Sequence, residues 1–471
     1  MTNKVLRLFE EISAVPRQSG QEKQIISWLE AFADSENWKH KRDKAGNLCI
    51  YVPGDNSNTT VALQTHCDMV CVAKPGYKHD FSRDPIIVEQ HRGWIKAHKT
   101  SLGADNGIGM AIALQMGKET FKGKPNLELL FTVGEETGMT GAFGIDKDML
   151  SASCMINLDS DSEGFLVGCA GGQRATITAP VEYESAGDKK ALKLRVKGLR
   201  GGHSGVDMDS TRLNAITILG ELLFNACTED DSYGISLVEF SGGTADNIIA
   251  SHGEMVIAAD KYDDVVSFLV NERCCLEDSY EQVEEKMFIA IEKYRTPLDK
   301  VVSPAQTKSI GNLLKRLPYG VVSKHKEFDV VGTSCNFGKV LLDDKCFKLS
   351  MSLRSNEEEN LDLLSNKVSS VASNNGFKCE FSARYPGFEA NTDSNLVRVA
   401  KKAVEKVSGE KPELRVVHAG LECGVIQKKY PNMETISLGV TIEDPHSISE
   451  RAEVKSIVKC FNTVQAILKD L

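Results

Sequence analysis

The chain has 471 residues, 41% hydrophobic and 26% charged, with a net charge of −10. That length exceeds one ordinary hydrophobic core, so two domains are expected. The acidic balance, with no Lys/Arg cluster, argues against nucleic acid as a partner, and no apolar run approaches the roughly 20 residues of a membrane span.

The opening MTNKVLRLFEEI sets Val5, Leu6, Leu8, Phe9 and Ile12 on one side of a helix and carries acidic residues, unlike a signal peptide. A second helix is expected around Gln24–Phe32. Apolar strands NLCIYV, TVALQTH and LELLFTV then alternate with a helix after Asp105, and MINLD and FLVGCAGG carry this α/β pattern to about residue 172. From there LKLRVKGLRGGHSGVD, the helical LNAITILGELLFNAC, SLVEFSGG, EMVIAAD, the helix DDVVSFLVNERCCLEDSYEQV, MFIAIEKY and FKLSMSLRSN form a strand-and-helix mix. YPGFEANTDSNLVRVAKKAVEKVSG brings a long amphipathic helix, and the strands LRVVHAG and METISLGV and a helix from Val454 to Leu468 close the chain. The thirteen cysteines are odd in number, scattered and without zinc-ribbon spacing; reduced thiols and a cytoplasmic protein are expected.

Chemistry concentrates where strands end. LELLFTVGEETG runs an apolar strand into Glu135 and Glu136, a pair that costs repulsion and desolvation unless something cationic offsets it. In VALQTHCDMV, His66 and Asp68 lie two apart and share one face of an extended segment. Asp105 sits in the Gly-rich turn of LGADNGIG, Asp159 ends MINLD, and His446 follows METISLGV. Two imidazoles and three carboxylates suit zinc or a similar divalent ion better than calcium or magnesium. Five ligands are too many for one catalytic zinc but fit two ions sharing a carboxylate. The assignment is Asp105 as bridge, His66 and Asp159 on one ion, Glu136 and His446 on the other, and Glu135 free as general base. Two ions about 3.5–4 Å apart can bind a hydroxide between them and polarise a carbonyl, which suits amide hydrolysis.

The motifs HCDMV, LGADNGIG, GEETG, INLD and PHS, in that order, resemble the co-catalytic di-zinc exopeptidases. PRQSGQE, HDFSRDPI, GCAGG, RGGHSG and HAGLECG bring the resemblance closer to the aminoacyl-histidine (Xaa-His) dipeptidases, also called cytosolic non-specific dipeptidases, over nearly the whole chain. It implies a metal-binding catalytic domain with a mixed central β-sheet flanked by helices, plus a large inserted α+β lid. His66, Asp105, Glu136, Asp159 and His446 are then the metal ligands, and Asp68 and Glu135 the two catalytic acids that bind no metal. The resemblance further implies a cis peptide after Asp105, a homodimer, and a dipeptide substrate, Xaa-His or broader, with β-alanyl-histidine left open. Lys99 departs from the pattern, standing where relatives usually carry glycine.

Because His446 lies far from the other candidate ligands, residues 1–172 and 385–471 must form one catalytic domain around an insertion of 173–384, large enough for two similar α+β subunits. His203 in GGHSG is the candidate oxyanion donor of the insertion and Asn247 a second polar contact. Arg354 could fork onto a free C-terminal carboxylate. Glu422, beside His418 in HAGLECG, is the candidate reader of the free amino group. A related amidohydrolase, aminoacylase or tripeptidase, and a non-catalytic scaffold retaining the fold, are the competing readings.

Overall fold

The computed structural model describes residues 2–208, 211–389 and 391–471. The chain divides into two compact units, one of residues 1–169, 387–416 and 421–471, the other of residues 170–386 and 417–420.

The first unit is built on an eight-stranded sheet. In spatial order its strands are Lys39–Arg42, Leu48–Val52, Pro125–Thr132, Asn56–His66, Cys154–Ser160, Glu434–Gly439, Phe165–Cys169 and Leu414–Val417. The third to sixth of these run parallel to one another. A parallel strand covered on both faces must be apolar on both, and the sequence obeys: Leu129, Leu130, Phe131 and Thr132 are consecutive and all fully buried. Helix Ala104–Lys118 is likewise buried all round, every residue from Gly107 to Gly117 being inside, which its small and apolar side chains permit. Helix Asn395–Ser408 instead buries one stripe, Leu396, Val397, Ala400, Ala403 and Val404, and the Ser394 hydroxyl caps it by accepting from the Val397 amide. Parallel strands place their C-terminal ends along one edge of the sheet, and there the chain carries His66, Glu135, Glu136 and Asp159.

The second unit holds a nine-stranded sheet in which one β-α-β-β-α-β pattern occurs twice. The first copy is strand Lys190–Lys197, helix Ala215–Glu229, strands Ser236–Gly243 and Gly253–Ala259, helix Tyr262–Tyr280 and strand Phe288–Tyr294. The second is strand Gly171–Pro180, helix Pro304–Arg316, strands Val331–Leu342 and Cys346–Ser355, helix Glu358–Asn374 and strand Lys378–Tyr385. In each copy the strands stand in the order fourth, first, third, second, and the two second strands pair to join the copies. Ile216, Leu219, Leu223, Ile310 and Leu313 of the helices pack on Leu192, Leu194, Ile257, Leu349 and Leu353 of the sheet in one core.

Two segments divide differently from their sequence reading. FLVGCAGG is not one strand: Phe165–Cys169 pairs in the first sheet and Gly171–Pro180 in the second. Residues 417–420 return to the second unit, which separates His418 from Glu422 within HAGLECG. Among the described residues no helix is long and apolar enough to cross a membrane.

Candidate metal centre

All five candidate ligands belong to the first unit. His66 is the last residue of its strand, and its Nε2 lies 2.8 Å from Asp105 Oδ1 and 3.2 Å from Asp159 Oδ1. His446 Nε2 lies 3.2 Å from Asp105 Oδ2 and 2.8 Å from Glu136 Oε1. Asp105 therefore turns one carboxylate oxygen toward each histidine, and each histidine shares its side with one further carboxylate. The peptide bond between Asp105 and Asn106 is cis. Asn106 Nδ2 donates to Asp159, and the Asp159 amide donates 3.2 Å to Asn157 Oδ1.

These spacings fit a divalent ion. Two donors each about 2.0–2.1 Å from a tetrahedral zinc stand about 3.3 Å apart. Glu136 Oε1 is buried and, despite its nearness to His446, has no hydrogen-bond partner, the state of a carboxylate oxygen aimed at a cation. His66, Asp105 and Glu136 each offer one ligand atom within 4.8 Å of the other two. The imidazole and carboxylate donors are the set that zinc and its neighbours share.

Around them stand groups that set orientation. His66 Nδ1 faces the Asp68 carbonyl at 3.2 Å and the Asp68 carboxylate at 3.5 Å, which leaves Nε2 as the nitrogen available to an ion. The fully buried Asp68 carboxylate also accepts from the amides of Glu135 at 3.0 Å and Glu136 at 3.3 Å. It thus orients His66 and fixes the backbone of both glutamates. Burial, then the charges of Asp159, Glu422 and Glu136, hold the Glu135 carboxyl well above the usual carboxylate range against the opposing pull of His66.

Two further side chains, missed in the sequence, lie buried beside these loops: Arg17, 1% exposed, and Glu450, 3% exposed. Their chemistry is directed at backbone groups, which leaves no spacing or repeated residue type to read; only their place inside PRQSGQE and next to PHS hinted at them.

Glu422 points inward. It is fully buried at the start of helix Glu422–Lys429, where its Oε2 accepts from Gln64 Nε2 at 2.7 Å and from the Thr132 hydroxyl. Gln64, Asn157 and Ser437 continue this as a buried polar chain across the sheet. Burial pushes the Glu422 carboxyl up to about 7. The structure gives it an interior partner in place of the exposed position that an amine reader needs.

The remaining candidates lie in the second unit. Gly202 and His203 pair with Ile249 and Ile248, so Asn247, exposed and adjacent, accepts the Ser204 amide on its carbonyl at 2.8 Å. The Gly205 amide donates to His203 Nδ1 at 3.3 Å, which leaves Nε2 as the protonated nitrogen, the tautomer that can donate to an oxyanion. Arg354 is 7% exposed; its Nη1 donates to the Tyr385 hydroxyl at 2.6 Å, its Nε has no partner, and among the described residues it forms no ion pair. A Cβ on Gly205 would lie 3.1 Å from the His203 ring and 3.3 Å from the Arg354 guanidinium, so glycine here lets the two groups stand together. His418 is occupied: Nδ1 donates to Asn356 Oδ1 at 3.2 Å and Nε2 accepts from the Ser334 hydroxyl at 2.7 Å. Burial and nearby Arg354 push it down to about 3, so it is a neutral support of the second unit with no nitrogen left for substrate.

Comparison with known proteins agrees with this geometry. Residues 62–470 match peptidase family M20/M25/M40. The chain belongs to that family. The cytosol non-specific dipeptidase of Escherichia coli strain K12 is 32% identical over 98% of this chain and 96% of its own. The aminoacylhistidine dipeptidase of Vibrio alginolyticus has a TM-score of 0.86 and 31% identity, covering 99% of this chain and 96% of that one. Aminopeptidase PepT from Bacillus cereus, at 19% identity and a TM-score of 0.57 over 100% and 98% of the two chains, shares the fold. Membership in this family bears out the α/β fold class and the resemblance drawn from the motifs, and makes the chain a metal-dependent peptidase.

Proposed function

We propose that this M20-family peptidase hydrolyses dipeptides, Xaa-His among them, with two zinc ions held by His66, Asp159, Asp105, Glu136 and His446. The observation that carries the reading is Asp105, whose two oxygens face two separate histidines, each with its own further carboxylate. Two divalent ions there supply the positive charge that acidifies a water and polarises a carbonyl. Glu135, which makes none of these imidazole contacts, takes the proton of the attacking water and returns it to the leaving amine. A carboxyl already raised by burial is suited to holding that proton between the two steps. Asp68 keeps His66 and Glu135 oriented. His203 has the donor tautomer for the oxyanion, Asn247 stands beside it, and the Arg354 guanidinium, without an ion-pair partner among the described residues, suits the free carboxylate of a short peptide.

The names of the E. coli and Vibrio relatives support the dipeptide substrate and, for the former, a cytosolic setting. A homodimer rests on the family resemblance and is tested by sedimentation. The activity is tested by offering purified protein with zinc or manganese Ala-His, β-Ala-His, Gly-Gly-Gly and an N-acetyl amino acid, beside Glu135→Gln. Cleavage of free dipeptides, lost with chelator and in the variant, is expected. Turnover of the acylated compound alone would make the protein an amidohydrolase, and ion binding with no turnover a scaffold.

A further inference from the structure

Arg17 and Glu450 touch no candidate ligand side chain, yet they grip the backbone that carries two of the ligands. Glu450 Oε2 accepts from the amides of Leu102 at 2.7 Å and Gly103 at 3.0 Å, and Oε1 from Ala104 at 2.8 Å. Those amides open the turn that ends in Asp105, where a helix start leaves its N–H groups without intrahelical partners. Arg17 Nη1 donates to the carbonyls of Asp68 at 3.1 Å and Cys67 at 3.4 Å, and Nη2 donates to that of Gly103. One guanidinium thus ties the loop after His66 to the turn before Asp105, and one carboxylate holds that turn from the other side. Two glycines of LGADNGIG make room for it. A Cβ on Gly107 would come within 2.6 Å of Arg17 Nη2, and one on Gly103, whose φ is +66°, within 2.7 Å of Met69 Sδ.

We propose that Arg17 and Glu450 are positioning residues that set the bridging orientation of Asp105, and so decide whether the second ion binds. The inference rests on the dinuclear reading above. A carboxylate serving one ion needs to aim one oxygen and can rotate to do so. A bridge must aim both oxygens at two fixed points, here marked by His66 Nε2 and His446 Nε2, and so depends on where its backbone stands. Loosening the turn should therefore spare the first binding event and weaken the second.

The test titrates Mn²⁺ into metal-free wild type, Glu450→Gln and Arg17→Lys by calorimetry, with bound ions counted after dialysis. Wild type should bind two ions. Each variant should bind the first within about threefold of wild type and the second 10–100-fold more weakly, the loss that support groups around metal ligands typically cause. kcat should fall, KM should stay, and added Mn²⁺ should raise kcat again. Unchanged affinities with a lowered melting temperature would make both residues merely structural and overturn the proposal, as would equal weakening of both ions. If Arg17→Lys does not fold, Gly107→Ala, which drives a methyl onto the same guanidinium, takes its place. Wild type binding fewer than two ions would instead refute the dinuclear reading.

Discussion

Loading the metal centre should expel protons, and the number follows from charges already in place. In the metal-free protein burial favours a neutral His66, but Asp159, Asp105 and Asp68 outweigh it and hold the ring well above the usual histidine range. His446, hydrogen-bonded to Asp105 and close to the Glu136 carboxylate, is pushed up to about 10. Both rings are therefore protonated at pH 7, and each must release its proton before its nitrogen can bind an ion. Asp159, raised to about 6 by burial and the charge of Asp105, contributes only about a tenth of a proton at that pH. Burial and its acidic neighbours hold the Glu135 carboxyl well above the usual carboxylate range, and two added cations draw it toward the ionised form. Filling both positions at pH 7 should thus release between about two and three protons, and the logarithm of the overall association constant should climb by the same number per pH unit. Calorimetry in three buffers of different ionisation enthalpy reads the count from the slope of apparent enthalpy. Fewer than one proton, or an affinity flat from pH 6 to 8.5, would refute the reasoning. The sign for stability is opposite. A histidine raised in the folded state stabilises the metal-free protein below the unfolded value and loses that contribution as pH rises through about 10, so metal-free protein should melt earlier in alkali.

Three further outcomes follow from single side chains. Asp68→Asn keeps one acceptor for two amides and removes the charge facing His66; it should cost about 1–3 kcal/mol in urea unfolding and 10–100-fold in kcat, and an unchanged kcat would take Asp68 out of the site. Lys99 has φ +63°, the left-handed region, with its ammonium 5.2 Å from the Tyr77 ring centre. Lys99→Gly should be tolerated, whereas the β-branched Lys99→Val should lose about 1–2 kcal/mol in the same assay, and equal stability of the two would show the turn to be pliable. Glu422 is raised in the folded state, so the metal-free protein loses stability as pH climbs from its unfolded value toward about 7. Glu422→Gln should match wild type near pH 4.5 and exceed it by about 1–3 kcal/mol at pH 8; a variant less stable at both would show that the charge is needed.

What the sequence disclosed depended on which groups do the work. His66, Glu136 and Asp159 follow apolar strands whose runs are visible as letters, and the parallel sheet gathers those strand ends along one edge. The glycine expected at position 99 shows its reason in the structure, since the residue there is left-handed. Arg17 and Glu450 escaped because a backbone amide or carbonyl has no letter of its own. Glu422 was misleading for a different reason. A glutamate after a strand is by default a solvated one, and only the partners Gln64 and Thr132, far away in sequence, turn it inward. His418, four residues earlier, went to the other unit with no change of composition to mark the crossing.

The doubled pattern of the second unit sets an order of assembly. Its first copy is contiguous, from Lys190 to Tyr294, and closes through neighbouring segments. The second copy opens with strand Gly171–Pro180, whose partner across Thr176 is Ser350. About 170 residues must be made before that pairing exists, roughly 10–35 s at a ribosome adding 5–20 residues per second. For that interval the strand carrying Ala175, Ile177 and Ala179 lacks its native sheet neighbours, while every segment of the first copy has already been made. The nascent chain then carries an apolar strand without its sheet neighbours, and a chaperone that engages this chain during synthesis has its target there.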